Sequence, residues 1–169
     1  VFYNSGITSI ELPATLETIG DCAFHSCSGL TSIDLSNCTS LTSIGSYAFQ
    51  NCSGLTSIDL SNCTSLKSIG GAAFQNCSGL TSITFPSNLT SIGGAAFLGC
   101  YGLISITLPS RLESIGSFAF DFCYALAEVY NYSNLRFANN GIHGGIGMYA
   151  KVVYNLRGGE KNLKVEYKQ

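Results

Sequence analysis

Residues 44–55 read IGSYAFQNCSGL and residues 69–80 read IGGAAFQNCSGL, and the reading of this phrase decides the fold. The pair that opens it recurs as Ile19-Gly20, Ile44-Gly45, Ile69-Gly70, Ile92-Gly93 and Ile115-Gly116, in steps of 25, 25, 23 and 23 residues. Each copy follows I-G-x-x-A-F-x-x-C-x-x-L and leads into T-S-I-x-L or a close variant. A fixed period of this size marks an array of stacked units, none of which can cover its own apolar face. The opening stretch, residues 2–12 (FYNSGITSIEL), matches the end of the phrase one residue short. The expectation from this is a chain that starts inside a repeat, with upstream residues cut away.

Within one repeat the apolar positions show which way each segment faces. In Leu30-Thr31-Ser32-Ile33-Asp34-Leu35, the period-2 rule puts Ile33 and Leu35 on one side of a short strand and Ser32 and Asp34 on the other. Leu41-Thr42-Ser43-Ile44 is a second extended piece, after which Gly45 permits a sharp turn. Ser46, Asp21 and Ser117 stand where they can cap one helical turn, which places Ala48, Phe49 and Cys52 on one inward edge. The expected repeat is therefore two short strands and one helical turn. Stacked at about 4.8 Å per rung, such repeats form a right-handed solenoid with columns of Leu, Ile, Phe and Cys inside.

The phrase L-T-S-I-x-L-P-x-x-L-x-S-I-G-x-x-A-F-x-x-C, nearly whole in residues 80–100 and 103–123, resembles the BspA-like leucine-rich repeats of bacterial and protozoan surface proteins. The resemblance implies a β-rich leucine-rich-repeat solenoid in a secreted or cell-surface ectodomain, with adhesion or protein binding as its work and no reaction. The 25-residue copies depart from the pattern by carrying L-S-N-C-T-S-L (residues 35–41 and 60–66) in place of L-P-x-x-L, a feature similar to the cysteine-containing leucine-rich repeats.

Composition narrows the function classes. The 169 residues are 46% hydrophobic and only 11% charged, with a formal net charge of −2. No apolar run approaches the ~18 residues of a membrane span, and a clustered basic excess of the kind nucleic acid requires is lacking. Val1 to Ser5 shows no signal segment. Charge is nevertheless uneven, with two basic and eight acidic residues up to Leu135 but six basic and two acidic from Arg136 onward. The shift divides the chain into a solenoid, residues 1–135, and a C-terminal β cap, residues 136–169. The cap comprises a glycine-rich loop (139–147), a β-rich run (149–156), a Gly158-Gly159 turn and the alternation of Leu163, Val165 and Tyr167 with lysines and Glu166, which reads as a hairpin.

Eight cysteines raise the question of bridges or metal. Cys27, Cys52, Cys77, Cys100 and Cys123 share one repeat position, and Cys38 and Cys63 share another. Parallel ladder side chains do not point at one another, so buried free thiols are expected, with a Cys38–Cys63 bridge or wider pairing as the alternatives. Cys22, His25 and Cys27 form C-x-x-H-x-C, but no fourth ligand stands nearby, so no metal and no cofactor is expected. His143 lies in the glycine-rich loop, and that loop lacks the lysine of a phosphate-binding motif. No nucleophile, base and orienting group recur together, so no catalytic residue is assigned.

The outward strand positions are the candidate interaction face: Ser9 and Glu11, Ser32 and Asp34, Ser57 and Asp59, Ser82 and Thr84, Ser105 and Thr107, Glu128 and Tyr130. A mostly Ser/Thr floor suits a broad surface better than a pocket. Stacked carboxylates at Glu11, Asp34 and Asp59 cost stability unless water, a cation or a basic partner compensates. Because Thr84 and Thr107 hold the same position, those carboxylates are expected to be dispensable for folding. The functional expectation is a monomeric, non-catalytic module that docks a protein or glycan, with end-to-end contact at the incomplete first rung a further possibility. A structural spacer projecting another domain is the alternative.

Overall fold

A computed structural model of the chain describes residues 2–137, 145–156 and 163–166. The repeats stack as a parallel β-solenoid of about five turns. One sheet holds β1 (Thr18–Ile19), β2 (Ser43–Ile44), β4 (Ser68–Ile69), β6 (Ser91–Ile92) and β8 (Ser114–Ile115), all parallel and in register Ile on Ile. The second sheet runs β3 (Ser57–Asp59), β5 (Ser82–Thr84), β7 (Ser105–Leu108) and β9 (Glu128–Asn131), also parallel. In the first two rungs this second sheet is reduced to one bridge, Glu11 to Asp34.

Between the sheets the core is built of columns. Phe2, Phe24, Phe49, Phe74, Phe97 and Phe120 stack at 5.0 to 5.4 Å between ring centroids. Leu30, Leu55, Leu80, Leu103 and Leu126 are fully buried beside them. The threonine of the T-S-I phrase has a structural use, since the hydroxyls of Thr42, Thr81 and Thr90 donate to carbonyls of the preceding rung, at Glu17, Thr56 and Lys67.

The expected helical turn is absent from the described repeats. In its place each I-G-x-x-A-F-x-x-C segment is a run of turns in which two residues four positions apart adopt a left-handed backbone: Cys22 and Ser26, Tyr47 and Asn51, Ala72 and Asn76, Ala95 and Gly99, Phe118 and Phe122. Amide protons alternate along it. Ala23 and His25 donate within their rung to Gly20 and Cys22, while Cys22, Phe24 and Ser26 donate to the next rung at Ser46, Ala48 and Gln50. A helix spends its donors on itself; this segment spends half of them on its neighbour, so the turns form a third ladder. Asp21 is accordingly no helix cap, and its carboxylate accepts from the Ser46 amide of the next rung at 2.6 Å.

In the Ile-Gly pairs after the first, at Gly45, Gly70, Gly93 and Gly116, the glycine answers to rung spacing rather than to a left-handed turn. A Cβ at Gly70 would lie 2.6 Å from the Gly45 carbonyl carbon and from the Ser46 nitrogen, and one at Gly93 would meet Gly70 and Gly71 in the same way. Backbone packs on backbone there, and only glycine leaves room.

Beyond β9 the second sheet continues. A short helix α1 (Ile146–Tyr149) leads to β10 (Val152–Asn155), which pairs in parallel with β9, and β11 (Leu163–Glu166) pairs antiparallel with β10. The expected hairpin is present in those two strands. Its Gly158-Gly159 turn, Tyr167 and His143 of the glycine-rich loop lie outside the described residues, and Tyr149 belongs to the helix and not to the strand.

Candidate interaction surface

The second sheet carries the predicted face, because its strands alternate inward Ile or Leu with outward polar residues. In β5 the order is exposed Ser82, buried Ile83, exposed Thr84, and β3 repeats it with Ser57, Ile58 and Asp59. Register joins Ser57 to Ser82, Ser82 to Ser105 and Ser105 to Glu128 in one column. A second column joins Asp59 to Thr84 and Thr107 to Tyr130, with Glu11 bridged to Asp34 at its start. Ser9, Glu11, Ser32, Asp34, Ser57, Asp59, Ser82, Thr84, Ser105 and Thr107 are exposed, while Glu128 and Tyr130 are half-buried.

The structure extends this face past the residues that the repeat pattern indicates. Tyr154 of β10 is in register with Tyr130, and their rings stack at 5.0 Å. The Tyr130 hydroxyl donates to the Glu128 carboxylate at 2.8 Å, and that bond raises the Tyr130 pKa above its ordinary value. Tyr154 escaped the sequence reading because it lies 24 residues after Tyr130 in chain without the repeat phrase. The signal was the match of Val-Tyr-Asn at 129–131 and 153–155.

The same match explains how the apolar column ends. Asn131 stands in register with Leu108 and is fully buried. Its amide donates to the Asn155 side chain at 2.8 Å and to the Leu135 carbonyl at 3.0 Å, and its oxygen accepts from the Ser133 amide at 3.0 Å. A buried amide is tolerated when its bonds are made, and here a polar step closes a column that every earlier rung keeps apolar.

The acidic column differs from its expected role. Asp34 and Asp59 each accept the backbone N–H two residues on, from Ser36 and Ser61, at 2.9 Å. The Ser36 bonds hold the Asp34 carboxyl below its usual range, and the Ser61 bonds do the same for Asp59. Two residues after Glu11, Thr84 and Thr107 stands a proline (Pro13, Pro86, Pro109), which has no N–H to satisfy. The aspartate thus belongs to the L-S-N-C-T-S-L form of the loop, where it closes an Asx-turn. The threonines at 84 and 107 are no evidence that Asp34 and Asp59 are dispensable.

All eight cysteines are free. The ladder thiols are donors: Cys27, Cys52, Cys77, Cys100 and Cys123 each reach the carbonyl of a phenylalanine in the preceding rung, at 2.9 to 3.3 Å. The same Phe24, Phe49, Phe74 and Phe97 carbonyls also accept the amide of the cysteine three residues on. Each such oxygen is therefore filled twice. Burial pushes the Cys52 and Cys123 thiols up to about 12 and Cys63 to about 11, and it raises Cys77 and Cys100 strongly as well.

The C-x-x-H-x-C residues do not converge. The Cys27 thiol is committed to the Phe2 carbonyl at 2.9 Å, while the His25 ring stacks on Tyr3 and bonds the Ser26 hydroxyl. Among the described residues no three His, Cys, Asp or Glu side chains gather at metal-binding distance, and no helix is long and apolar enough to cross a membrane.

Comparison with known proteins agrees with this geometry. The BspA-type leucine-rich repeat region matches residues 1–127 in six copies. Among solved structures, the leucine-rich repeat protein of T. pallidum is 28% identical with a TM-score of 0.70, over 89% of this chain and 70% of that one. A leucine-rich repeat protein of Bacteroides ovatus is 25% identical with a TM-score of 0.61, over 77% of this chain and 42% of that one. A leucine-rich cell-surface protein of Faecalibacterium prausnitzii, 24% identical with a TM-score of 0.55, shares the fold over 99% of this chain and 47% of that one. No curated protein matches the chain. Six matching copies over three-quarters of its length place it plainly: the chain belongs to the BspA-type leucine-rich repeat family.

Proposed function

We propose that the chain is a non-catalytic interaction module of a cell-surface protein and engages a protein or glycan across the open face of its second sheet. The observation that carries this reading is the in-register outward face. A floor of small hydroxyl side chains runs from Ser57 to Ser105, flanked by Asp34 and Asp59 at one end and by the stacked Tyr130 and Tyr154 at the other. Such a floor lets a broad partner approach closely, and tyrosine pairs combine apolar area with a polar tip at low entropy cost. Likeness to a cell-surface protein supports an extracellular setting. In this reading residues 1–135 form the binding solenoid and residues 136–169 the cap that shields its last rung.

The test is capture of extracellular-matrix proteins and immobilised glycans by the native chain and by a Thr84→Lys, Thr107→Lys variant whose melting and circular dichroism match the parent. Binding by the parent that falls at least tenfold in the variant supports the face. Binding that the variant retains in full would place the contact elsewhere, and an absence of any binding would favour the spacer.

A further inference from the structure

The residue after each ladder cysteine forms an outward column at the corner between the turn ladder and the second sheet. Ser28, Ser53 and Ser78 hold it in the first three repeats, and Tyr101 and Tyr124 hold it in the last two. All five are exposed. The Tyr101 and Tyr124 rings are nearly parallel, 8° apart with centroids at 5.8 Å. Tyr124 is braced in turn by Phe122 at 5.9 Å and by the Tyr149 ring at 5.6 Å, which meets it nearly edge-on. Phe122 sits at φ 60°, in a column that earlier rungs fill with Ser26, Asn51, Asn76 and Gly99, and a bulky side chain disfavours that backbone. The repeat therefore does not ask for these rings. Three copies stand without them.

The ring column stops at Tyr101. Stacking on Tyr124 uses one face of the Tyr101 ring, and on the side of the other face the preceding rung offers Ser78; among the described residues no second ring meets Tyr101. The step from tyrosine to serine makes a notch with an aromatic wall and a hydroxyl floor. The neighbouring column supplies amides. Asn76 donates to the Asn51 Oδ1 at 3.1 Å, and the Asn76 Oδ1 lies 2.5 Å from where a Cβ of Gly99 would stand. Because Gly99 has no side chain, the Asn76 carboxamide reaches toward the rung that carries Tyr101. Tyr101, Ser78, Asn76 and Gly99 bring no charge to the notch, only one ring face and neutral donors and acceptors.

We propose that this notch is a saccharide subsite, taking one neutral pyranose with equatorial hydroxyls, as in a β-linked glucan, flat against Tyr101. Such a sugar carries its hydroxyls around the rim and C–H bonds on both faces. The positive ends of those C–H bonds suit the negative face of an aromatic ring. A ring stacked on Tyr101 stands one rung spacing away, about 4.8 Å, which is over Ser78. There the Ser78 hydroxyl and the Asn76 carboxamide meet the hydroxyl rim. A partner's aromatic side chain would fit the wall but would leave both polar groups against apolar atoms. A charged ligand would find no counter-charge. Phe122 and Tyr149 hold the wall in place before the sugar arrives, which lowers the ordering cost of binding. The notch lies outside the outward columns of the second sheet, so it is a site separate from the face proposed above.

The experiment is a saturation-transfer NMR titration of the full chain with cellotriose, a β-1,4-linked glucose trimer. Three variants run beside the parent: Tyr101→Ser with Tyr124→Ser, Asn76→Gly, and the Thr84→Lys, Thr107→Lys pair on the sheet. The first two use residues that other rungs carry at the same positions, so the fold is kept, as circular dichroism and melting will check. In the parent, transfer is concentrated on the protons of one sugar face. The tyrosine pair lowers the apparent affinity at least fivefold, about the fold-change that one stacked ring is worth, and Asn76→Gly lowers it by a similar factor. The sheet variant binds as the parent does. No transfer to the parent at about 5 mM sugar overturns the proposal, and so does full affinity in either notch variant. Loss confined to the sheet variant would place the sugar on the second sheet, which overturns the notch and leaves the sheet-face reading standing.

Discussion

Alkaline pH probes the thiol ladder most directly. The thiols of Cys77, Cys100 and Cys123 are fully buried, and burial keeps each protonated in the fold to pH values where an unfolded cysteine, with a pKa near 8.5, has ionised. A raised folded pKa means that the stabilisation is fully present below the unfolded value and is lost as pH climbs from there toward the folded one. Between pH 7.5 and pH 10 each such thiol favours the unfolded chain by roughly 1.4 to 2 kcal/mol, and this figure requires only that the folded pKa lie well above 10. The three together cost about 4–6 kcal/mol, a large part of the ~5–15 kcal/mol of a typical domain. Cys52 and Cys63 act in the same direction. Ionisation would also withdraw the S–H donors from the Phe49, Phe74 and Phe97 carbonyls. The assay is urea unfolding at pH 7.5 and pH 10 under reducing conditions. With a urea slope of ~2 kcal/mol per molar, the midpoint falls by about 2–3 M, and replacing Cys77 and Cys100 by Ala shrinks the fall by more than half of that share. A midpoint that stays within 0.5 M (roughly 1 kcal/mol at that slope) would refute the protonated ladder.

Three further outcomes follow from named contacts. Alkylation of the native protein at pH 8 labels Cys22, which is half-buried, and spares the seven buried cysteines until denaturant is added, as mass spectrometry of the labelled peptides will show. Gly70→Ala, which drives a Cβ into the Gly45 and Ser46 backbone, destabilises by about 3 kcal/mol in chemical unfolding, whereas Gly71→Ala, whose Cβ would find only ordinary contact at 3.5 Å, changes stability little. Asp59→Thr lowers Tm near neutral pH, because the Ser61 N–H loses its acceptor, and Ser61→Pro in the same protein reduces that effect. The parent should also lose this contribution as pH falls through the depressed Asp34 and Asp59 pKa values, which thermal melts between pH 5 and pH 2 would record.

The outward face was legible in the sequence because a strand has a period of two, so Ser57, Asp59, Ser82 and Thr84 could face only one way once Ile58 and Ile83 were buried. The turn ladder was not legible. Ala48, Phe49 and Cys52 have the spacing of a helical edge, and nothing local distinguishes a helix from turns whose alternate amides reach the next rung. The role of Asp34 and Asp59 was hidden for a similar reason. Comparison down the column showed that threonine is accepted there, but the deciding partner was the amide of Ser36 or Ser61, two residues away along the chain.

By itself the sequence determined the repeat, the stacking and the identity of the buried columns. Period and polarity are properties of the chain, and an apolar face that one rung cannot cover has to be covered by the next. Tertiary structure alone decided what each rung asks of its neighbours. It set the Ile-Gly glycines against backbone at 2.6 Å, gave the cysteines the Phe carbonyls as acceptors, and carried Tyr154 beside Tyr130. These are relations between residues some 23 to 28 positions apart, set by the distance between stacked backbones, and a pattern read along one chain carries no such distance.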